Sequence, residues 1–163
     1  MAGHANTGRS ARGGPDRYDP GVPDTDDRFD VIATLDRYAT ALDRRSWDLL
    51  DDVFTQSVVA EWGGVYWSGR NELVAMIRSN LDGCGPTQHL LGNYDVSLDG
   101  DRAAATCRVR AFHIGRGDRS DRTYELFGFY HAVLVRTDAG WRVEEWHGET
   151  TLELGTRDVL GSE

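Results

Sequence analysis

Three side chains in separate parts of this 163-residue chain could together move a proton: Asp43 in Ala41-Leu42-Asp43, His89 in Thr87-Gln88-His89, and His113 in Ala111-Phe112-His113. An imidazole changes charge near neutral pH, and a carboxylate can orient it and stabilise its charged form. Brought together in an apolar cavity, the three would form a general acid–base site. Whether they meet depends on the face each occupies.

Asp43 falls in a helical stretch in which Ile32, Leu35, Ala39 and Leu42 recur at helical spacing. With Ile32 at zero and about 100° per residue, Ala39 lies near −20° and Asp43 near +20°, in the middle of the apolar stripe. The carboxylate also sits in the last turn, where the helix dipole disfavours negative charge. Both penalties call for a compensating partner. The alternative is a frayed helix end with Asp43 in water or helping to cap the next helix, a role that Ser46 already fills.

His113 ends the alternating row Ala103, Ala105, Cys107, Val109 and Ala111, the small apolar face of a strand whose other face carries Arg108 and Arg110, read as solvated. Taken alone it would be a satisfied core histidine, but Asp43 and His89 are candidate partners. His89 shares parity with Leu91 and Asn93, whereas Val96 and Leu98 have the opposite parity. A bulge at Gly92 would reconcile them. The residues read His89 equally well as catalyst and as structural histidine.

Tyr38 and Tyr130 could each donate a hydrogen bond to a substrate oxygen, or could be core residues with their hydroxyls at the rim. Trp62, Tyr66 and Trp67 could form an aromatic mouth or pack on a helix. Leu91, Asn93, Val109, Leu126 and Gly128 complete the expected substrate-binding wall. His131 and His147 fall outside this site, and His4 lies near the N-terminus.

The elements that must position these groups read as helices first and strands after. Helices are expected over 26–45, Trp47 to Phe54 and 71–81, with a strand at 57–62 and a short one at Val65 to Trp67 between them. After Pro86 the period becomes two, with strands at 87–98, 102–115, 122–137 and 141–154, and Asp99-Gly100 marks a tight hairpin. Strands this long must curve, with Gly92 and Gly128 as bend points. The fold class is α+β: a cone-shaped α+β barrel, with about three N-terminal helices packed on a strongly curved, mostly antiparallel sheet. Residues 26–154 form this domain. Residues 1–25 are rich in Gly, Pro, Asp and Arg and are expected to be a disordered tail, or one that wraps a partner through Tyr18 and Val22, and 155–163 form a C-terminal tail. Both faces of 122–137 are apolar, which leads to the expectation of a homo-oligomer, dimer or trimer.

Composition narrows the chemistry. A net charge of −9 argues against nucleic acid and anionic membranes as partners. The 18 basic residues are all arginine, which excludes Schiff-base and lysine general-base catalysis. No apolar run approaches the roughly 20 residues that cross a bilayer. Two cysteines without a CxxC motif, and no secretory leader, suggest a reducing cytoplasm.

The segments Arg37-Tyr38-Ala39-Thr40-Ala41-Leu42-Asp43 with Trp47, Gly69-Arg70, Thr87-Gln88-His89, Ala111-Phe112-His113 and Gly140-Trp141-Arg142 together resemble the SnoaL-like branch of the nuclear transport factor 2 superfamily, over about residues 27–154. The chain is similar to scytalone dehydratase in its helix-one aspartate, its Thr-Gln-His and its later strand histidine. It is similar to bile acid dehydratase in the tyrosine five residues before the aspartate, here Tyr38. It departs from the scytalone enzyme where that pocket strand carries serine and asparagine, here Gly128 and Tyr130, and in having Leu42 beside the aspartate. The resemblance implies Asp43 paired with His113 and His89 opposite, in a cofactor-independent dehydratase acting on a medium-sized apolar ring compound. His113 would take a proton from carbon, Tyr38 or Tyr130 would steady the enolate, and His89 would protonate the departing hydroxyl. A polyketide cyclase or double-bond isomerase needs the same base without a leaving group. A non-catalytic ligand-binding module and a two-histidine, one-carboxylate metal site are the remaining rivals, with no metal expected.

Overall fold

The computed structural model describes residues 25–161. The expectations placed on the N-terminal segment, including Tyr18, Val22 and His4, lie outside them. Helix α1 runs Thr25–Arg44, with Asp26 and Asp27 in its first turn, where the dipole favours them. A 3₁₀ turn, Trp47–Asp52, precedes β1 (Phe54–Trp62) and β2 (Val65–Ser68), and α2 follows at Arg70–Leu81. Then come β3 (Thr87–Asp99), β4 (Arg102–Ile114), β5 (Thr123–Thr137) and β6 (Gly140–Gly155), and a last 3₁₀ turn at Arg157–Val159.

The strands form one curled sheet in the order β2-β1-β6-β5-β4-β3. Every pairing is antiparallel except β1 with β6, which brings Trp62 beside Gly148 and Ala60 beside Trp146. Both expected bend points coincide with register shifts, between Gly92 and Asp95 on β3 and between Phe127 and Gly128 on β5. At the first, Asn93 takes a positive φ of 53°, so the strand resumes with Val96 buried. A Cβ at Gly128 would lie 1.8 Å from the Glu149 carbonyl oxygen, so only glycine allows β6 to cross there.

The inner faces of β4 and β5 carry the core. Ala103, Ala105, Cys107, Val109, Ala111 and His113 alternate as buried residues along β4, as the sequence pattern requires. On the outer face of β5, Phe127 and Phe129 lie under the guanidinium groups of Arg110 and Arg108, at 5.4 and 5.1 Å from the ring centroids. The second apolar face is thus partly covered by the chain's own arginines.

In α1 the buried stripe is Val31, Leu35, Tyr38 and Leu42, turned by about one position from the stripe centred on Ile32, which is half-buried. Asp43 therefore stands on the flank of the stripe rather than at its centre, its side chain 24% exposed. The helix closes through two reverse bonds, Arg45 N–H to the Leu42 carbonyl at 3.2 Å and Ser46 N–H to the Ala41 carbonyl at 3.0 Å, with Arg45 at φ 56° where glycine is usual. Ser46 precedes the 3₁₀ turn but makes no side-chain cap. The stretch set apart as a C-terminal tail contributes the 3₁₀ turn Arg157–Val159, in which Val159 is fully buried.

Candidate active site

Strand β3 is an edge of the sheet, so the N–H groups on its outer side lack a neighbouring strand. The last turn of α1 covers that edge where β3 begins, and Asp43 fills the vacancy. Its Oδ2 accepts the His89 backbone N–H at 2.8 Å, while its Oδ1 accepts the Thr87 hydroxyl at 2.9 Å and lies 2.7 Å from His89 Nδ1. Burial pushes the Asp43 carboxyl up, but hydrogen bonds from the His89 ring and backbone, with the Thr87 hydroxyl, outweigh it and hold the group below the usual carboxylate range. A carboxylate can only accept, so His89 Nδ1 carries a proton, and Nε2 is the ring nitrogen that Asp43 leaves free.

The resemblance-based pairing of Asp43 with His113 is therefore corrected. Asp43 engages the two residues of Thr87-Gln88-His89 that share its edge, and His113 sits two strand positions away in the His89–Ala111, Thr87–His113 register. His113 Nδ1 instead lies 3.2 Å from the Tyr124 backbone carbonyl, which likewise accepts only. Its ring meets the His89 ring edge-on, with centroids 5.4 Å apart and planes at 87°. Burial, followed by the neighbouring His89, pushes the His113 ring down to about 4 against the pull of the Tyr124 carbonyl, so at neutral pH it is uncharged.

Arg45 locks this arrangement from behind. Its guanidinium donates to Thr87 Oγ1 at 2.8 Å, to the Gly85 carbonyl at 3.0 Å, to the Leu81 carbonyl at 3.1 Å and to the Leu42 carbonyl. One side chain thereby ties together the ends of α1 and α2 and the start of β3. Thr87 relays the contact, accepting from Arg45 and donating to Asp43. Nothing in the sequence marks an arginine in the left-handed region. Thr87 was visible only as part of the Thr-Gln-His motif.

Both histidines line a cavity of about 280 Å³ enclosed by Tyr38, Tyr130, Trp62, Trp67, Leu126 and Trp146, among others. Tyr38 and Tyr130 meet edge to face at 5.7 Å. Burial lifts both phenols above the usual range, so they stay neutral, and the Tyr130 hydroxyl donates to that of Tyr38. Trp146, Tyr124 and the α2 residues Met76 and Ile77 also line the cavity. Sequence parity could have found Trp146, which shares the inward row of Trp141 and Val143 once the register shift in β6 is allowed for.

Five expected lining residues are elsewhere. Tyr66 is 68% exposed on the outer face, because successive strand residues point to opposite sides and Trp67 takes the inner one. Leu91, Val109 and Gly128 form the next cross-strand row beyond His89, Ala111 and Leu126. With Asn93, which sits at the bulge, they border a separate depression of about 380 Å³ rather than the cavity, and Val109 also belongs to the packed core. His131 and His147 face each other on the outer side, beside Glu149 and Glu61. Among the described residues no three His, Cys, Asp or Glu side chains are grouped to hold a metal ion, and no helix is long and apolar enough to cross a membrane.

The family model of the SnoaL-like domain matches residues 23–147. The uncharacterised protein Rv2910c of Mycobacterium tuberculosis H37Rv is 34% identical over 134 residues, 78% of this chain and 88% of that protein. Among solved structures, Kfla4162 from Kribbella flavida is similar with a TM-score of 0.73 and 25% identity, over 82% of this chain and 96% of that one. A Novosphingobium aromaticivorans protein provisionally named scytalone dehydratase shares the fold, with a TM-score of 0.72 at 17% identity, over 79% of this chain and 87% of its own.

Proposed function

This chain belongs to the SnoaL-like domain family, and from that premise we propose that it is a cofactor-independent acid–base enzyme of the lyase type, acting on a medium-sized apolar ring compound. One observation carries the reading: the Asp43 carboxylate holds His89 through ring Nδ1 and the backbone at once, on the wall of an apolar cavity, so that Nε2 is the ring nitrogen left for a substrate.

His89 is the base. Its Nε2 takes a proton from carbon beside a ring carbonyl, and the Asp43 carboxylate stabilises the imidazolium that forms. The neutral, mutually hydrogen-bonded hydroxyls of Tyr38 and Tyr130, on the same wall, supply a donor to the enolate oxygen. The imidazolium of His89 then returns its proton to the departing hydroxyl, so water leaves and a double bond remains. The name of the Novosphingobium neighbour, a loss of water, is in keeping with this reading.

A second reading draws on His113, which is uncharged at neutral pH and so is no ready acid. A single base that takes a proton from one carbon and returns it to another is an isomerase or cyclase. Product mass separates the two. With 3-hydroxy-1-tetralone as probe, elimination gives 1-naphthol and one water, whereas isomerisation leaves the mass unchanged. His89→Gln is expected to abolish either conversion. Wild-type turnover in that variant would overturn the proposal.

A further inference from the structure

Two imidazoles, His89 and His113, line the cavity, yet one suffices for the base. His113 is 4% exposed, its Nδ1–H is committed to the Tyr124 carbonyl, and among the described residues no protein group hydrogen-bonds Nε2. A carbonyl cannot donate, so the bond fixes the tautomer irrespective of the rest of the site. His89 does not satisfy Nε2 either: the two rings meet edge-on with centroids 5.4 Å apart and share no hydrogen bond. The unmet acceptor therefore opens on the cavity.

We infer that His113 is a fixed hydrogen-bond acceptor that selects ring substrates carrying a hydroxyl group, rather than a second acid or base. The inference rests on the acid–base reading above in placing a ring compound in this cavity, and it deepens that reading by naming a substituent the compound must carry. The geometry suits the role. The His113 ring is clamped between His89, edge-on at 5.4 Å, and Tyr124, tilted at 36° with the same centroid separation, so its lone pair has one direction. A buried acceptor left unpaired costs free energy, so a ligand without a donor is penalised as well as unrewarded. Among the other polar side chains on the wall, the tyrosine hydroxyls can donate to a ligand's carbonyl, the Asn80 amide nitrogen is held by the Met76 carbonyl, and Glu61 and Arg157 have partners in His147 and Glu153.

The test compares binding of 1-tetralone, 6-hydroxy-1-tetralone and 6-methoxy-1-tetralone by calorimetry at neutral pH. The wild type should bind the hydroxy compound about 3- to 10-fold more tightly than 1-tetralone, and the methyl ether no more tightly than 1-tetralone. His113→Phe should abolish that preference, and His113→Gln, which keeps a carbonyl acceptor, should restore part of it. Equal affinities in the wild type, or a preference unchanged in His113→Phe, would overturn the inference. Nitrogen-15 spectra of the wild type need no variant to fold: His113 should be neutral with its proton on Nδ1, and a proton on Nε2 would equally overturn it. These readouts involve no turnover. Activity persisting in His89→Gln would sink the base and leave His113 standing, while loss of hydroxyl preference alone would sink only His113.

Discussion

The Asp43 carboxylate grips His89 twice, by its ring nitrogen at 2.7 Å and by its backbone N–H at 2.8 Å, and makes no hydrogen bond to His113. Because one oxygen reads the main chain and the other the ring, the imidazole is fixed in position as well as in tautomer. The three donors on the carboxylate, those two and the Thr87 hydroxyl, replace the water that burial removed.

That double grip makes Asp43→Asn informative. All its partners are donors, so the amide NH2 of asparagine must face one of them. The cheapest remedy is to shift the His89 proton to Nε2, which removes the base. Turnover should fall roughly 10²–10⁴-fold with the fold retained. Nitrogen-15 spectra of His89 would show the tautomer change, and an unaltered Nδ1–H tautomer with full activity would contradict it.

Stability should depend on pH through His113. Its folded value of about 4 lies below the ordinary 6.5, so the unfolded chain binds the extra proton first as pH falls. The contribution is complete above about pH 6.5 and is lost progressively as pH falls through 4, on the order of 3 kcal/mol in all. Asp43, also depressed, adds a loss that begins only below its ordinary 3.8. Urea denaturation between pH 7 and 4 checks this, and His113→Gln should flatten the slope between 6.5 and 4.

Thr87→Val removes the hydroxyl that links Arg45 to Asp43 while keeping the strand's shape. One hydrogen bond to the carboxylate is lost, so turnover should fall about 5- to 10-fold. Arg45→Ala, which frees three segment ends at once, should lower both turnover and the melting temperature, whereas Thr87→Val should lower chiefly turnover.

Two glycines should separate packing from cavity shape. Gly128→Ala sets a methyl against the Glu149 backbone carbonyl, which cannot swing away, and should destabilise by about 3 kcal/mol in urea titration. Gly148→Ala meets the Trp62 ring, 2.4 Å from the new Cβ, and that ring can move. It should cost less stability but shift the indole off Thr150 Oγ1, its partner at 3.1 Å, and weaken 1-tetralone binding.

The long, strongly periodic elements were legible, and strand parity placed His113 on the inner face. Both faces of β5 are apolar, so parity did not choose the one that carries Leu126. The helix expected from Trp47 to Phe54 is a 3₁₀ turn ending at Asp52, with Phe54 opening β1. At β3 parity holds only up to the bulge expected at Gly92: Asn93 enters the left-handed region and everything beyond it changes face, so Asn93 leaves the row of His89 and Leu91. Parity was overextended at Tyr66, where two adjacent strand residues could not both face inward. The partner of Asp43 was not legible, because it depends on which strand edge the last turn of α1 covers, a contact between residues 46 positions apart. Arg45 was hidden for a related reason: the four acceptors of its guanidinium converge only after α1, α2 and β3 have packed.

The most direct measurement of the base is carbon-acid exchange, which needs neither a leaving group nor the natural substrate. Incubated with 1-tetralone in D2O and followed by proton NMR, the protein should speed deuteration at the carbon beside the carbonyl, and His89→Gln should return the rate to that of buffer. Deuteration equally fast with wild type and His89→Gln would contradict the account.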